Sequence, residues 1–159
     1  MFPISHFNIT RTPFYYYDKT LLSNTLAKLI RLAGERNYHI HYAVKANANP
    51  EILKLIAASG IGADCVSGGE IKAALEAGFP AKKIVFAGVG KADWEIEYAL
   101  EKKIFCFNVE SAEELSVIEE LAKKKENIAS IALRINPNID AHTHEYITCL
   151  LYTSDAADD

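Results

Sequence analysis

The sequence has no excess of positive charge: 17 lysines and arginines stand against 21 aspartates and glutamates, which gives a net charge of -4. The lysines form no basic stripe, which argues against a nucleic-acid-binding surface and favours small-molecule partners. No apolar run approaches the roughly 18 residues that span a membrane, and the N-terminus lacks the basic and apolar regions of a signal peptide. We therefore expect a cytoplasmic protein that binds neither nucleic acid nor membranes.

Cysteine is also scarce, and the three cysteines show no CxxC spacing. Cys65 and Cys106 lie inside apolar, strand-like runs, and we interpret them as buried thiols in a reducing compartment. His142 and His144 form an H-x-H pair, but no third histidine stands at ligand spacing, so we interpret them as loop residues and expect no metal site. Half of the residues are apolar, which is the composition of a soluble α/β protein with a core of its own.

The chain repeats a unit in which a short apolar run is followed by a turn and an amphipathic helix. The apolar runs begin near His39, Ile61, Ile84, Ile104 and Ser130. This alternation predicts a parallel sheet with right-handed crossovers. Because no G-x-G-x-x-G follows any run, we favour an incomplete (β/α)8 TIM-type barrel of about five βα units over a doubly wound sheet, although the period fits both. A complete barrel needs about 250 residues, so two sheet edges should stay unpaired and favour aggregation.

The predicted helices carry recognisable N-terminal signals. They begin after Asp18, Asn49, Ser67 and Ser111. The serines precede Glu70 and Glu114 in S-x-x-E capping boxes, which explain Gly68 and Gly69 better than a phosphate cradle does. Later in the chain, Trp94, Ile96 and Leu100 are expected to form one helix face against the sheet.

Lys45 ends the first apolar run, just before the helix that begins at Pro50. The ends of barrel strands carry the chemistry of α/β barrels, and a lysine there is a candidate for covalent catalysis through a Schiff base. The alternative for the isolated residue is a solvated charge at the end of a strand.

Five segments in order strengthen the catalytic interpretation of Lys45. They are 42–47 (YAVKAN), 64–70 (DCVSGGE), 86–91 (FAGVGK), 108–111 (NVES) and 134–137 (RINP). In order and spacing they resemble the N-terminal, alanine racemase-like barrel of the fold-type III decarboxylases that depend on pyridoxal 5'-phosphate, and within that family the diaminopimelate decarboxylases. The resemblance implies a partial cofactor-binding barrel over residues 1–148 and no C-terminal β-domain. We interpret residues 149–159 as a non-native tail, for which an ordinary acidic C-terminus is the alternative.

The resemblance implies that the full-length parent, as a homodimer, decarboxylates meso-2,6-diaminopimelate to L-lysine in the last step of lysine biosynthesis. Lys45 would form the Schiff base with the cofactor, Arg134 would lie near its ring hydroxyl, and Asp64 would lie near the lysine and the ring. A structural salt bridge is the alternative for Arg134, and a turn residue at a strand end is the alternative for Asp64.

Several groups that the resemblance implies fall outside this sequence: a histidine stacked on the ring, a glycine-rich phosphate loop, an acid for the pyridine nitrogen, and a cysteine and a tyrosine of the β-domain. We therefore expect little or no turnover from this chain. Two alternatives stay open, a non-catalytic protein that binds the cofactor through the same lysine and a sibling decarboxylase acting on ornithine, arginine or carboxynorspermidine.

Overall fold

The computed structural model of the chain describes residues 4–135, and the strands within them form one parallel sheet. The strands are β1 His41–Ala43, β2 Gly62–Cys65, β3 Ile84–Phe86, β4 Cys106–Val109 and β5 Ile131–Leu133. Each strand pairs with the next one along the chain, in the order β1-β2-β3-β4-β5. A doubly wound sheet would reverse its strand order at a switch point, so the sequential order favours the barrel and confirms the predicted fold class.

Four of the six described α-helices begin where the sequence predicts. The helices are α1 Ile4–Phe7, α2 Lys19–Gly34, α3 Pro50–Ala58, α4 Gly68–Ala77, α5 Asp93–Lys102 and α6 Ala112–Lys124, with short 3-10 turns at Val44–Ala46 and Ala81–Lys83. The four with predicted starts are α2, α3, α4 and α6. The side chains of Asp18, Asn49, Ser67 and Ser111 each accept a backbone N–H from the first turn that follows. These bonds satisfy amide groups that a helix leaves unpaired at its N-terminus.

The core lies between the sheet and the helices. Helices α3 to α6 pack side by side against one face of the sheet. The side chains of Phe79, Phe86 and Phe107 are at most 2% exposed there, and burying each stabilises the fold by about 1.5–3 kcal/mol relative to exposure. We call the opposite face of the sheet the open face. On β2, Ala63 is 0% exposed and faces the helices, whereas Asp64 faces the other way.

The expectation for Trp94 is wrong. Ile96 and Leu100 are 1% and 3% exposed, but Trp94 is 62% exposed. Ile96 and Leu100 are four residues apart and share a helix face, whereas Trp94 precedes Ile96 by two residues and projects from the other side. Its ring instead covers the start of α4, where a Cβ on Gly68 would lie 2.9 Å from a ring carbon. The tryptophan therefore joins two helix termini and is not part of the core.

Three predictions fall on residues that the structure does not describe. The domain boundary at residue 148, the tail over residues 149–159 and the pair His142 and His144 all lie outside residues 4–135. Within the described range, no helix has the length and apolar character needed to cross a membrane.

Candidate active site

The predicted site residues meet in one cavity at the carboxyl ends of the strands. Lys45, Asp64 and Arg134 all line this cavity, which has a volume of about 420 Å³. They come from the ends of β1, β2 and β5, so the cavity extends from the first strand to the last at their carboxyl ends. Parallel strands bring their carboxyl ends to one edge of the sheet, and barrel enzymes carry their chemistry there.

The peptide around Lys45 is fixed by contacts of its neighbours. Lys45 lies on the 3-10 turn that follows β1, and the side chain of Val44 beside it is 0% exposed. The Tyr42 hydroxyl donates to the carbonyl of Asn47 at 3.2 Å, and the Asn47 amide donates to the Tyr17 hydroxyl at 3.0 Å. Lys45 itself is exposed, and its amine makes no ion pair with any residue between 4 and 135. The turn therefore presents an unpaired amine on a supported backbone.

Asp64 contributes a carboxylate with unused hydrogen-bonding capacity. Its Oδ1 atom is buried and has no hydrogen-bond partner among the described residues. Buried polar atoms in native proteins are almost always paired, because an unpaired one forfeits its interaction with water. Within the described residues, Oδ1 of Asp64 is therefore able to accept a further hydrogen bond.

Arg134 forms a salt bridge and also lines the cavity, so the two interpretations of this residue are compatible. Its Nη1 atom donates to Glu110 Oε2 at 2.9 Å, with the arginine side chain 43% exposed and the glutamate side chain 11% exposed. Its backbone N–H donates to the carbonyl of Val109 and continues the pairing of β5 with β4. The guanidinium is thus held at the cavity edge, and residues 4–135 engage only one of its donors.

Sequence reasoning missed Glu110 as a site residue. Glu110 follows β4 directly, in the same position relative to its strand as Arg134 has to β5, and this equivalence was the available signal. Its second oxygen, Oε1, accepts the backbone N–H of Gly88 at 3.1 Å. Gly88 has φ of +99°, a left-handed conformation that favours glycine, and it turns this N–H toward the carboxylate.

A buried ion pair behind the cavity wall was also missed. The side chain of Lys91 is 1% exposed, and its Nζ atom pairs with Glu114 Oε1. The same ammonium donates to the carbonyls of Gly88 at 2.6 Å and Asn108 at 2.9 Å, which uses all three of its donors. Glu114 Oε2 accepts the backbone N–H of Glu110 at 2.8 Å. Lys91 therefore ties the loop after β3 to the end of β4 and to the start of α6.

Ser67 caps α4 as predicted, but the reciprocal bond of the predicted capping box is shifted by one residue, because Glu70 accepts from the residue before the cap. Ser67 Oγ accepts the N–H of Glu70 at 3.2 Å, and Glu70 Oε2 accepts the N–H of Val66 at 2.8 Å. The N–H of Gly68 donates to Glu95 Oε1 at 2.7 Å. Because that donor is already engaged by a carboxylate, the start of α4 is unsuited to a phosphate cradle.

The two described cysteines are buried free thiols, as predicted. Burial, followed by the nearby charges of Glu70 and Asp64, raises the pKa of Cys65 to about 12. Burial also raises the pKa of Cys106. Since the thiolate is the nucleophilic form, neither residue is suited to covalent catalysis.

A second cavity, of about 410 Å³, opens at the amino ends of the strands. The ring of His41 stacks there on Phe105 with 6.3 Å between the ring centroids. Burial lowers the pKa of His41, against a smaller opposing effect of the Asp64 carboxylate. None of Lys45, Asp64 and Arg134 lines this cavity, so we place the candidate site at the carboxyl ends.

Comparisons with known proteins show which proteins this chain is similar to. A family model described as the pyridoxal-binding domain of pyridoxal-dependent decarboxylases matches residues 23–153. The diaminopimelate decarboxylase of Bacteroides thetaiotaomicron is 61% identical over 149 residues, which cover 93% of this chain and 39% of that protein. The chain thus spans about two fifths of the length of that relative.

Solved structures show the same relationship. The crystal structure of diaminopimelate decarboxylase from Helicobacter pylori complexed with L-lysine has a TM-score of 0.77 and 46% identity, covering 90% of this chain and 36% of that one. The enzyme from M. jannaschii has a TM-score of 0.86 and 38% identity, covering 93% of this chain and 36% of that one. The five-stranded sheet therefore corresponds to part of a larger known fold.

Proposed function

Because the chain belongs to the pyridoxal-dependent decarboxylases, whose pyridoxal-binding domain matches residues 23–153, we propose that it is part of a longer enzyme that decarboxylates meso-2,6-diaminopimelate to L-lysine. The observation that carries this proposal is the meeting of Lys45, Asp64 and Arg134 in one cavity at the carboxyl ends of the strands. The 61% identity to a diaminopimelate decarboxylase supports the choice of substrate.

Three residues of the cavity supply groups that suit pyridoxal 5'-phosphate, which supports the proposal. Lys45 offers an exposed amine without an ion-pair partner in residues 4–135, as an aldehyde requires. Asp64 holds a buried oxygen that has no donor in the described part of the chain. Arg134 supplies a half-exposed guanidinium for an anionic oxygen. When bound, the cofactor supplies a ring that accepts the electron pair released as carbon dioxide leaves the amino acid.

Each of these residues has a separate task in the proposal. Lys45 would anchor the cofactor covalently and exchange with the amine of the substrate, for which its neutral form is required. Arg134 would orient an anionic ring oxygen through charge-assisted hydrogen bonds. Asp64, between them on β2, would accept a hydrogen bond through Oδ1 and favour positive charge nearby. The phosphate contacts and the substrate side-chain contacts would come from parts of the longer protein that this chain does not contain.

The assembly and location of the longer enzyme are also part of the proposal. We propose a cytoplasmic homodimer, which rests on the family resemblance. This chain, with about two fifths of the length of its relative, should show little or no turnover. Release of L-lysine from meso-2,6-diaminopimelate by the purified chain would contradict that expectation.

Covalent trapping tests the proposed role of Lys45. The purified chain is mixed with pyridoxal 5'-phosphate, reduced with borohydride, digested and mapped by mass spectrometry. We expect the label on Lys45 and its loss in Lys45→Arg. The matched control is Lys54→Arg, because Lys54 is an exposed lysine of α3 paired with Glu51. A folded chain that is labelled elsewhere, or nowhere, would refute the assignment of Lys45.

The same assay addresses the other two functions that remain open. A non-catalytic cofactor-binding protein would be labelled at Lys45 with no response to any amino acid. In a decarboxylase, an amino-acid substrate competes for the cofactor and reduces the label. Because the substrate side-chain contacts lie outside this chain, the protection test uses the full-length parent. Protection there by meso-2,6-diaminopimelate but not by ornithine or arginine supports the proposed substrate, and the reverse order would favour a sibling decarboxylase.

A further inference from the structure

We propose that Glu110 is a positioning residue for Arg134, and that the buried pair of Lys91 and Glu114 fixes Glu110 for this task. The proposal rests on the proposed function, since it concerns how Arg134 is presented to an anionic oxygen in the same cavity. It gives Glu110, Lys91 and Glu114 a role that cofactor binding through Lys45 alone does not explain.

The geometry of Glu110 limits it to a single contact with Arg134. Oε2 accepts from Arg134 Nη1 at 2.9 Å, while Oε1 accepts the N–H of Gly88 at 3.1 Å. A free carboxylate usually engages a guanidinium through both oxygens, which occupies two of its donors. Because Gly88 occupies Oε1, Glu110 holds the arginine by one atom and leaves its other donors for a second anion.

The backbone of Glu110 is fixed from behind. Its N–H donates to Glu114 Oε2 at 2.8 Å, and the other oxygen of Glu114 pairs with Lys91. Lys91 also donates to the carbonyl of Gly88, the residue whose N–H binds Glu110 Oε1. Gly88 and Glu114, which both hold Glu110, are therefore both bound to the buried ammonium of Lys91. This closed ring of contacts restricts the rotation of Glu110, and with it the position of the Arg134 guanidinium.

A purely structural salt bridge would not need this arrangement. The guanidinium of Arg134 is 43% exposed, and an exposed ion pair contributes little to stability. The glutamate is only 11% exposed, lines the cavity and has both oxygens on groups of the cavity wall. Because Glu110 is little exposed and both of its oxygens are held, it can fix the orientation of the Arg134 guanidinium. Arg134 then loses less conformational freedom when an anion binds.

A double-mutant cycle with pyridoxal 5'-phosphate tests the proposal. The dissociation constant is measured for the chain and for Glu110→Gln, Arg134→Gln and the double variant. We expect Glu110→Gln to weaken binding about tenfold and to add almost nothing in the Arg134→Gln background, because the two changes act through one interaction. The control is Glu113→Gln, because Glu113 is an exposed glutamate of α6, and it should bind like the unchanged chain. Additive effects would overturn the proposal.

Nuclear magnetic resonance of the cofactor-free chain provides an independent measurement. The Nη1–H signal of Arg134, the group that donates to Glu110, should be protected from exchange in the unchanged chain and in Glu113→Gln, and should lose that protection in Glu110→Gln. Unaltered protection in Glu110→Gln would overturn the proposal. If Glu110→Gln does not fold, Glu110→Asp replaces it, because the shorter side chain keeps the charge but cannot reach both partners. If the unchanged chain fails to bind the cofactor, the proposed function fails, while the exchange measurement still decides the role of Glu110.

Discussion

Replacement of Lys91 by methionine is the most direct test of the network behind the cavity. The side chain of Lys91 is 1% exposed and that of its partner Glu114 is 12% exposed. The ammonium also donates to the carbonyls of Gly88 and Asn108. Methionine fills a similar volume but donates no hydrogen bond. The variant therefore leaves a buried carboxylate without its cation and two carbonyls without a donor.

The expected loss is large for a single substitution. Removing one partner of a buried ion pair costs about 3–5 kcal/mol, because the remaining charge is desolvated without compensation. The double variant Lys91→Met, Glu114→Gln removes both charges and should recover much of the loss, since a neutral amide can still accept the N–H of Glu110. A matched exposed pair, Lys72 and Glu76, has side chains 67% and 68% exposed. Lys72→Met should change the free energy of unfolding by less than about 0.5 kcal/mol.

Urea denaturation followed by circular dichroism measures these differences. With a slope of about 1–3 kcal/mol per molar urea, a loss of 3 kcal/mol moves the midpoint by about 1–3 M. If Lys91→Met and Lys72→Met differ by less than 1 kcal/mol, the inference that Lys91 organises the wall is wrong. If the double variant is no more stable than Lys91→Met, the lost carbonyl contacts cause the damage and not the unpaired charge.

Two further predictions concern titratable groups. Burial lowers the pKa of His41 below its unfolded value near 6.5. The contribution of the neutral imidazole to stability is therefore complete above pH 6.5 and is lost as the pH falls through the folded pKa. This loss is at most about 1.4 kcal/mol per pH unit. Urea midpoints at pH 7.5 and 5.5 should show a smaller acid loss for His41→Gln than for the exposed control His39→Gln, and equal losses would contradict this. With a pKa of about 12, Cys65 is about one part in ten thousand thiolate at pH 8. In a variant whose third cysteine is replaced, Cys149→Ser, a chromogenic disulfide should therefore modify Cys65 and Cys106 only after urea unfolding. Rapid modification of that variant in its native state would contradict their burial.

Local signals in the sequence were sufficient to predict the fold. A side-chain cap acts within a few residues, so Asp18 and Ser111 mark helix starts without knowledge of the tertiary structure. The strands begin within about two residues of the predicted starts, and their sequential pairing follows from the repeated βα unit. The prediction for Trp94 failed because it grouped apolar residues without the angular spacing of a helix.

The site was predicted only in part, for a physical reason. Lys45, Asp64 and Arg134 each end a strand, and parallel strands bring such residues together. The contacts of Lys91 instead join residues 17 and 23 positions apart, across two elements. Whether such a lysine is a solvated charge or a buried organiser depends on packing that its neighbours in sequence do not reveal.

Lys45 and Arg134, at the two ends of the cavity, are supported by different kinds of contact. This difference explains why the sequence indicates the support of Lys45 but not that of Arg134. Lys45 is supported by Tyr42 and Asn47, which are close to it in the chain, so a local motif contains the whole support. Arg134 depends on Glu110, 24 positions earlier, and on the ion pair behind it. The paired strands β2, β3 and β4 lie between β1, which precedes Lys45, and β5, which precedes Arg134. The affinity of a cofactor that contacts both residues should therefore depend on the distant support of Arg134 as well as on Lys45.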